Sequence, residues 1–108
     1  MPPVISSSSK FLEVAFFRER SIQLPCKAQG IPKPKITWNF NGMGVPWGLT
    51  DQDGTFVINK TFLLTSNAVI EGVYTCLAKN VVGNDNIKYD LCESIPYETK
   101  CNLLDLPR

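Results

Sequence analysis

The chain has 108 residues, which is the length of a single domain. Its 11 Lys and Arg residues nearly balance its 10 Asp and Glu residues, and the formal net charge is +1. This balance excludes the strongly basic surface of a nucleic-acid-binding domain. The absence of histidine excludes His-based catalytic triads and His zinc ligands, so an enzyme is disfavoured. No apolar run approaches the roughly 18 residues that cross a membrane.

Short runs of β-branched and aromatic residues, separated by turn residues, predict an all-β chain. The first strand is expected to bend at the serine run 6–9. The further predicted strands span residues 21–28, 35–40, 55–58, 61–65, 72–79 and 86–91. Pro25 has no amide hydrogen, so its strand is expected to be irregular there or to lie at an edge. No window shows sustained helical periodicity, and several short strands with regular turns predict a two-sheet sandwich.

Turn residues separate these predicted strands. Residues 30–34 form a turn that contains glycine and proline, and Asn41-Gly42 is a strong hairpin signal. Residues 80–84 predict a second hairpin turn. The glycines and the proline between residues 42 and 54 exclude a long strand in that stretch.

The four cysteines are Cys26, Cys76, Cys92 and Cys101. None forms the C-x-x-C pair of a thioredoxin-like or zinc-binding motif. An even number without metal-ligand spacing favours disulfides and an oxidising compartment, with four buried cytosolic thiols as the alternative. Four cysteines allow three pairings, and their positions alone do not choose among them.

The first residues do not form a signal peptide, because residues 1–5 have neither a basic segment nor a long apolar run. A disulfide-bonded protein nevertheless needs an export signal. We therefore expect this domain to belong to a longer secreted or cell-surface chain.

Two segments carry a family resemblance. Residues 30–38 run Gly-Ile-Pro-Lys-Pro-Lys-Ile-Thr-Trp, which resembles the G-x-P-x-P-x-I-x-W segment of I-set immunoglobulin domains. Residues 72–83 match the G-x-Y-x-C-x-A-x-N-x-x-G segment of the same family. Residues 2–5 look like the usual first strand of that family, and the resemblance covers residues 2–91.

The resemblance implies an immunoglobulin-like sandwich of two antiparallel sheets, joined by a Cys26–Cys76 disulfide with Trp38 packed against it. It also implies that the Tyr74 hydroxyl donates a hydrogen bond to the backbone upstream. One position departs from the family pattern, because Ile70 stands where an Asp is usual. The ion pair that this Asp often makes is therefore not expected, and the adjacent Glu71 is expected to point to the other side.

The remaining cysteines lie outside the family pattern. We predict a local Cys92–Cys101 disulfide that pins the C-terminal segment. The alternative is that either cysteine pairs with a neighbouring domain or another chain. The predicted organisation is thus an immunoglobulin-like domain at residues 1–91 and an extension at residues 92–108 that leads to a linker or a next domain.

The tripeptide Asn59-Lys60-Thr61 is an N-x-[ST] sequon. In a secreted chain, Asn59 is a candidate for N-glycosylation. The alternative is a chance tripeptide.

The irregular stretch contains Met43, Val45 and Trp47, which are candidate partner-contact residues. Tryptophan is common among the residues that dominate binding energy, so Trp47 is the candidate anchor. The alternative, which we favour, is that this segment folds back and covers an open edge of the sandwich.

Basic residues are a further candidate surface, for a sulfated glycan. They are Arg18, Arg20, Lys27, Lys33 and Lys35. A solvated strand face is the favoured alternative, because these charges are few and the net charge is near zero. The acidic pair Asp51 and Asp53 offers too few oxygen ligands for calcium. Of the adjacent Phe16 and Phe17, only one ring is expected to face the core.

These features favour a noncatalytic, extracellular protein-recognition module that needs no cofactor or metal and inserts in no membrane. The resemblance implies an adhesion, receptor ectodomain or matrix role. The expected partner is a protein, either a different one or a second copy of the same chain. The alternatives are a spacer domain of an intracellular muscle filament and a secreted growth-factor-binding protein.

Overall fold

The computed structural model describes residues 1–95 and 98–99 of the chain. In this part, the elements in chain order are β1 (Val4–Ile5), β2 (Phe11–Phe16), β3 (Ile22–Leu24), β4 (Ala28–Gln29), β5 (Lys35–Phe40), β6 (Met43–Gly44), β7 (Leu49–Thr50), β8 (Phe56–Ile58), α1 (Lys60–Thr65), β9 (Gly72–Lys79), β10 (Asn84–Ile95) and β11 (Glu98–Thr99). The predicted all-β class is confirmed by this order of elements.

The strands form two facing layers. One sheet has the order β11-β10-β9-β5-β6, and β2 pairs with β10 in parallel. The other layer contains the antiparallel set β3-β8-β7 and the antiparallel pair β1-β4. Because β1 and β2 belong to different sets, the chain changes layers at the predicted bend in the serine run 6–9.

Two predicted strands are divided or extended in the structure. The strand predicted at residues 21–28 is divided into β3 and β4, with Pro25 in the gap. Proline cannot donate the hydrogen bond that a continuous ladder needs at that position. The last strand begins at Asn84 and ends at Ile95, so it is longer than the predicted 86–91.

The prediction of a strand at residues 61–65 is wrong, because this segment belongs to the helix α1. The Asn59 side-chain oxygen accepts a hydrogen bond from the Thr61 amide at 2.6 Å and caps the helix. Leu63 then turns into the core and is buried. A helix of six residues is too short to show a 3.6-residue apolar period, and its Thr and Phe residues favour a strand by propensity alone.

Apolar side chains from both layers fill the space between them. Trp38 of β5 lies 5.4 Å from Phe56 of β8, measured between ring centroids. The Trp38 indole nitrogen donates to the Gly54 carbonyl at 3.0 Å. Gly54 has a φ of 89°, and a Cβ there would lie 2.5 Å from the Cys26 carbonyl oxygen, so glycine is required.

Tyr74 lies in the centre of the core and is fully buried. Its hydroxyl donates to the Ile70 carbonyl at 2.7 Å and accepts from the Trp47 indole nitrogen at 3.1 Å. Burial raises the pKa of Tyr74 to about 12, because the apolar surroundings disfavour the phenolate, and the Trp47 hydrogen bond acts in the opposite direction.

Replacing Tyr74→Phe is expected to lower the free energy of unfolding at pH 7 by about 1–3 kcal/mol, because the Ile70 carbonyl and the Trp47 N–H lose their partner. The pKa of Tyr74 is about 12 in the folded chain and about 10 in the unfolded chain. One part of the parent chain's free energy of unfolding requires a neutral Tyr74. That part is therefore fully present below pH 10 and is lost as pH rises toward 12. Guanidinium chloride denaturation between pH 7 and pH 12 measures both effects.

The stability difference between the parent chain and Tyr74→Phe should accordingly narrow above pH 10. Thr75→Val is the matched control, since it removes a half-buried hydroxyl from the next residue, which faces away from the core. We expect that control to stay within about 0.5 kcal/mol of the parent chain. A parent and a Tyr74→Phe variant that lose stability in parallel up to pH 12 would contradict this account.

Candidate recognition surfaces and the core beneath them

The Cys26–Cys76 disulfide joins the two layers and holds the surfaces in place. Its Cα atoms are 6.4 Å apart, and both cysteines are buried. Trp38 lies in the same buried cluster and stacks on Tyr89, with ring centroids 6.1 Å apart. The candidate contact residues are therefore carried by a crosslinked frame.

Trp47 packs on the core from the irregular stretch between β6 and β7. Its ring centroid lies 5.2 Å from that of Phe40 and 5.8 Å from that of Phe62, and its indole N–H binds Tyr74. Val45 is also half-buried against the core, whereas Met43 is 73% exposed. The structure thus separates the three candidate contact residues, and only Met43 projects into solvent.

A shallow apolar cleft of about 450 Å³ lies beside Trp47. It is lined by Pro46, Trp47, Gly48, Leu49, Val57, Asn59 and Phe62. Asn59 stands at this cleft as the exposed cap of α1. Because its side-chain oxygen accepts from Thr61, the side-chain nitrogen is the atom left for a glycan. The geometry suits the predicted modification, and a glycan here would lie over the cleft.

The five basic residues do not form one surface. Arg18 donates from Nε to a Glu93 side-chain oxygen at 2.9 Å, near the end of β10. Lys35 lies at the opposite end of the sheet. It is the register partner of Lys79 across β5 and β9, and Lys79 is opposite Asn84, the first residue of β10. The ten residues from Asn84 to Glu93 span about 30 Å in a strand. The structure therefore gives no support to a continuous basic face for a sulfated glycan.

Of the other basic residues, Arg20 lies at a different depression from Lys27 and Lys33. The Arg20 guanidinium lies 5.2 Å from the centroid of the Phe17 ring, which is 42% exposed, while Phe16 is buried. Lys27 and Lys33 lie together beside a small depression of about 150 Å³. The two phenylalanines thus divide between core and surface, as the strand alternation predicts.

The base of the sandwich has an ion pair that sequence reasoning missed. Ile70, which replaces the usual Asp, is fully buried. Arg18 pairs with Glu93 and also donates to the Leu63 carbonyl at 2.9 Å, while Glu71 accepts from the Glu93 amide at 3.0 Å. Arg18 and Glu93 are 75 residues apart in the chain, and no local pattern signals their contact.

The predicted Cys92–Cys101 disulfide cannot be located here, since Cys101 lies outside the described residues. The bridge therefore stays a prediction, as does the domain boundary at residue 91. Within residues 1–95 and 98–99, no group of three Cys, Asp or Glu side chains is placed to hold a metal ion. The same part of the chain has no helix long and apolar enough to span a membrane.

Replacing Trp47→Ala is expected to reduce the free energy of unfolding by about 2–4 kcal/mol, because the indole packs on two aromatic rings and binds Tyr74. Met43→Ala is the matched control from the same stretch, and its effect should remain within about 0.5 kcal/mol. Chemical denaturation followed by near-ultraviolet circular dichroism measures both. Equal stability of the Trp47→Ala variant and the parent would show that the indole does not anchor the segment.

Expression through a mammalian secretory pathway is expected to add a glycan to Asn59, seen as a mass that a glycosidase removes. Thr61→Ala and Asn59→Asp should both abolish the added mass and keep the helix cap, because the capping contact uses the Thr61 amide and an oxygen at residue 59. Asn59→Ala should abolish the glycan and also cost about 1 kcal/mol of stability. An unmodified parent chain after secretion would contradict the site.

Two human proteins are among the known proteins similar to this chain. Human hemicentin-1 is 33% identical over 96 residues, and the match covers 88% of this chain and 2% of hemicentin-1. Human cell adhesion molecule DSCAM is 38% identical over 80 residues, covering 71% of this chain and 4% of DSCAM. The chain thus spans 5% or less of the length of the curated relatives that it matches first.

Solved structures agree with the fold. The structure of titin domain M7 superposes with a TM-score of 0.65 at 22% sequence identity, covering 88% of this chain and 98% of that domain. At this identity the likeness concerns the fold alone. The family model described as "Immunoglobulin domain" matches residues 2–80, which is most of the chain. The chain therefore belongs to the immunoglobulin domain family.

Proposed function

We propose that the chain is a noncatalytic protein-recognition module of an extracellular or cell-surface multidomain protein. The observation that carries this proposal is the buried Cys26–Cys76 disulfide. Disulfides persist in oxidising compartments and are rare in the reducing cytosol. The names of the relatives support an adhesion or matrix setting, and the small share of each relative that this chain spans supports a multidomain parent.

The noncatalytic part of the proposal is supported by the chemistry of the described residues. The sequence has no histidine, and the buried residues of the described part include no charged side chain. The cleft beside Trp47 is lined by apolar groups and one amide. Recognition would instead use exposed strand faces and loops, which the crosslinked sandwich holds rigid.

The second candidate is a spacer domain of an intracellular filament. The likeness to titin domain M7 favours it at the level of fold only. In a reducing compartment, Cys26 and Cys76 would remain thiols, and the domain would depend on packing alone. The redox state of these two residues therefore separates the two candidates.

The test uses the full-length native protein in its own cells. Thiols are alkylated before lysis, and peptides are mapped without reduction, while a membrane-impermeant biotin reagent labels the surface of parallel samples. We expect a disulfide-linked pair of peptides containing Cys26 and Cys76, together with surface or secreted labelling. Alkylated Cys26 and Cys76 in a protein that the reagent cannot reach would overturn the proposal and favour the spacer.

A further inference from the structure

The outer face of the sheet formed by β2, β10, β9 and β5 carries an unusual arrangement of charge. Strand alternation turns Tyr74, Cys76 and Ala78 of β9 toward the core, and it does the same for Ile87, Tyr89 and Leu91 of β10. The residues between them project outward. We call the surface that they form the outer face, and it includes Glu13, Lys35, Thr37, Leu77, Lys79, Asn86, Lys88 and Asp90.

Two lysines lie side by side at one end of the outer face. Lys35 and Lys79 are direct partners across β5 and β9, and both are exposed. Neither makes an ion pair with any described residue. Like charges directly opposite each other weaken a sheet, so this pair has a cost for the isolated domain. Leu77 and the 91% exposed Val81 line the same shallow groove.

Two acids lie side by side toward the other end of the same face. Glu13 and Asp90 are direct partners across the parallel pair of β2 and β10. Glu13 is exposed and Asp90 is half-buried. Like the lysines, these acids form no ion pair within the described part of the chain. The face thus carries two like-charged pairs of opposite sign.

The two pairs are separated by about 20 Å along the strands, because Lys79 is opposite Asn84 and Asp90 follows six residues later. The surface between them includes Thr37, Leu77 and Asn86, which are uncharged, and Lys88, which is beside Asp90. Charged pairs at the two ends of a mostly uncharged centre allow a second surface to be recognised by complementary charge.

We propose that a second copy of this chain docks on the outer face, with Lys35 and Lys79 of each copy against Glu13 and Asp90 of the other. A two-fold axis lying in the interface exchanges the two ends of the face, so each contact occurs twice. Opposite charges then meet at both ends, while each monomer alone retains two repulsive pairs. This inference rests on the proposed recognition function and names its partner.

The size of the face indicates a weak contact. Four strands at about 4.8 Å spacing and about 20 Å of length give roughly 400 Å² per copy and roughly 800 Å² in total, which is below the roughly 1,200 Å² of a stable interface. Such a contact gains strength when several domains of antiparallel chains act together. The association of one isolated domain should therefore be detected at high protein concentration and low salt.

The experiment measures association of the 108-residue chain by sedimentation equilibrium up to about 1 mM protein. One variant combines Lys35→Glu with Lys79→Glu, which makes the face acidic at both ends. A second combines Glu13→Lys with Asp90→Lys, which makes it basic at both ends. Each variant alone should dimerise about tenfold more weakly or worse, and an equimolar mixture should recover association, because every contact then joins opposite charges.

Matched controls change the same net charge elsewhere. Lys27→Glu with Lys60→Glu takes the net charge from +1 to −3, as the first variant does, and Glu19→Lys with Asp53→Lys matches the second. These four residues are exposed and lie outside the outer face. Both controls should dimerise like the parent chain. Association of the parent chain should weaken as salt is raised from about 50 to about 500 mM, because the screening length of exposed charges shortens within the range of roughly 15 to 3 Å.

Three results of the association measurements would overturn the inference. They are a parent chain that stays monomeric at the highest concentration, a mixture that fails to recover association although near-ultraviolet circular dichroism shows both variants folded, and controls that lose association equally. Binding of an unrelated acidic protein to Lys35 and Lys79 without self-association would also overturn it. None of these results changes the redox state of Cys26 and Cys76, so the proposed function is tested separately.

Discussion

The disulfide between Cys26 and Cys76 is the constraint on which the rest of the structure depends. It joins the sheet that contains β9 to the layer that contains β3, at the level where Trp38 fills the space between them. In the chain-entropy description, a bridge that closes 50 residues removes about 4 kcal/mol of freedom from the unfolded chain. The crosslink adds to the stability of a small sandwich, because a domain of this size buries a limited share of its surface.

Burial of the bridge also explains the polar contacts around it. The indole of Trp38 and the hydroxyl groups of Tyr74 and Tyr89 each reach a backbone carbonyl, at Gly54, Ile70 and Pro25. Polar atoms inside an apolar core are costly unless they are paired. These side chains therefore combine large apolar area with a single satisfied polar atom, and each contact fixes a loop to the strands.

The outcome of sequence reasoning differs between regular and irregular segments. The strands at Lys35–Phe40 and Gly72–Lys79 were predicted with their observed bounds, because alternation and flanking turns signal them locally. Helix α1 was missed, since its formation depends on the Asn59 cap and on burial of one leucine rather than on a repeating pattern. Element type is easiest to predict where the pattern repeats several times within the element.

The candidate surfaces depend even more on three-dimensional placement. The pairing of Lys35 with Lys79, and of Glu13 with Asp90, follows from strand register, which one sequence does not specify for distant segments. The same holds for Arg18 and Glu93. In contrast, the sequon at Asn59 is local and can be recognised in the sequence alone. Its capping contact is seen only in the folded structure.

The division of the first strand at the serine run has a consequence for aggregation. β1 covers β4 in one layer, and β2 covers β10 in the other. The Met1 amino group donates to the Ile31 carbonyl, and the Met1 carbonyl accepts from the Ile31 amide and the Asn80 side-chain nitrogen. Unpaired strand edges are templates for another chain. One N-terminal segment thus protects two vulnerable borders, and its proteolytic loss would open both to strand exchange or fibril growth.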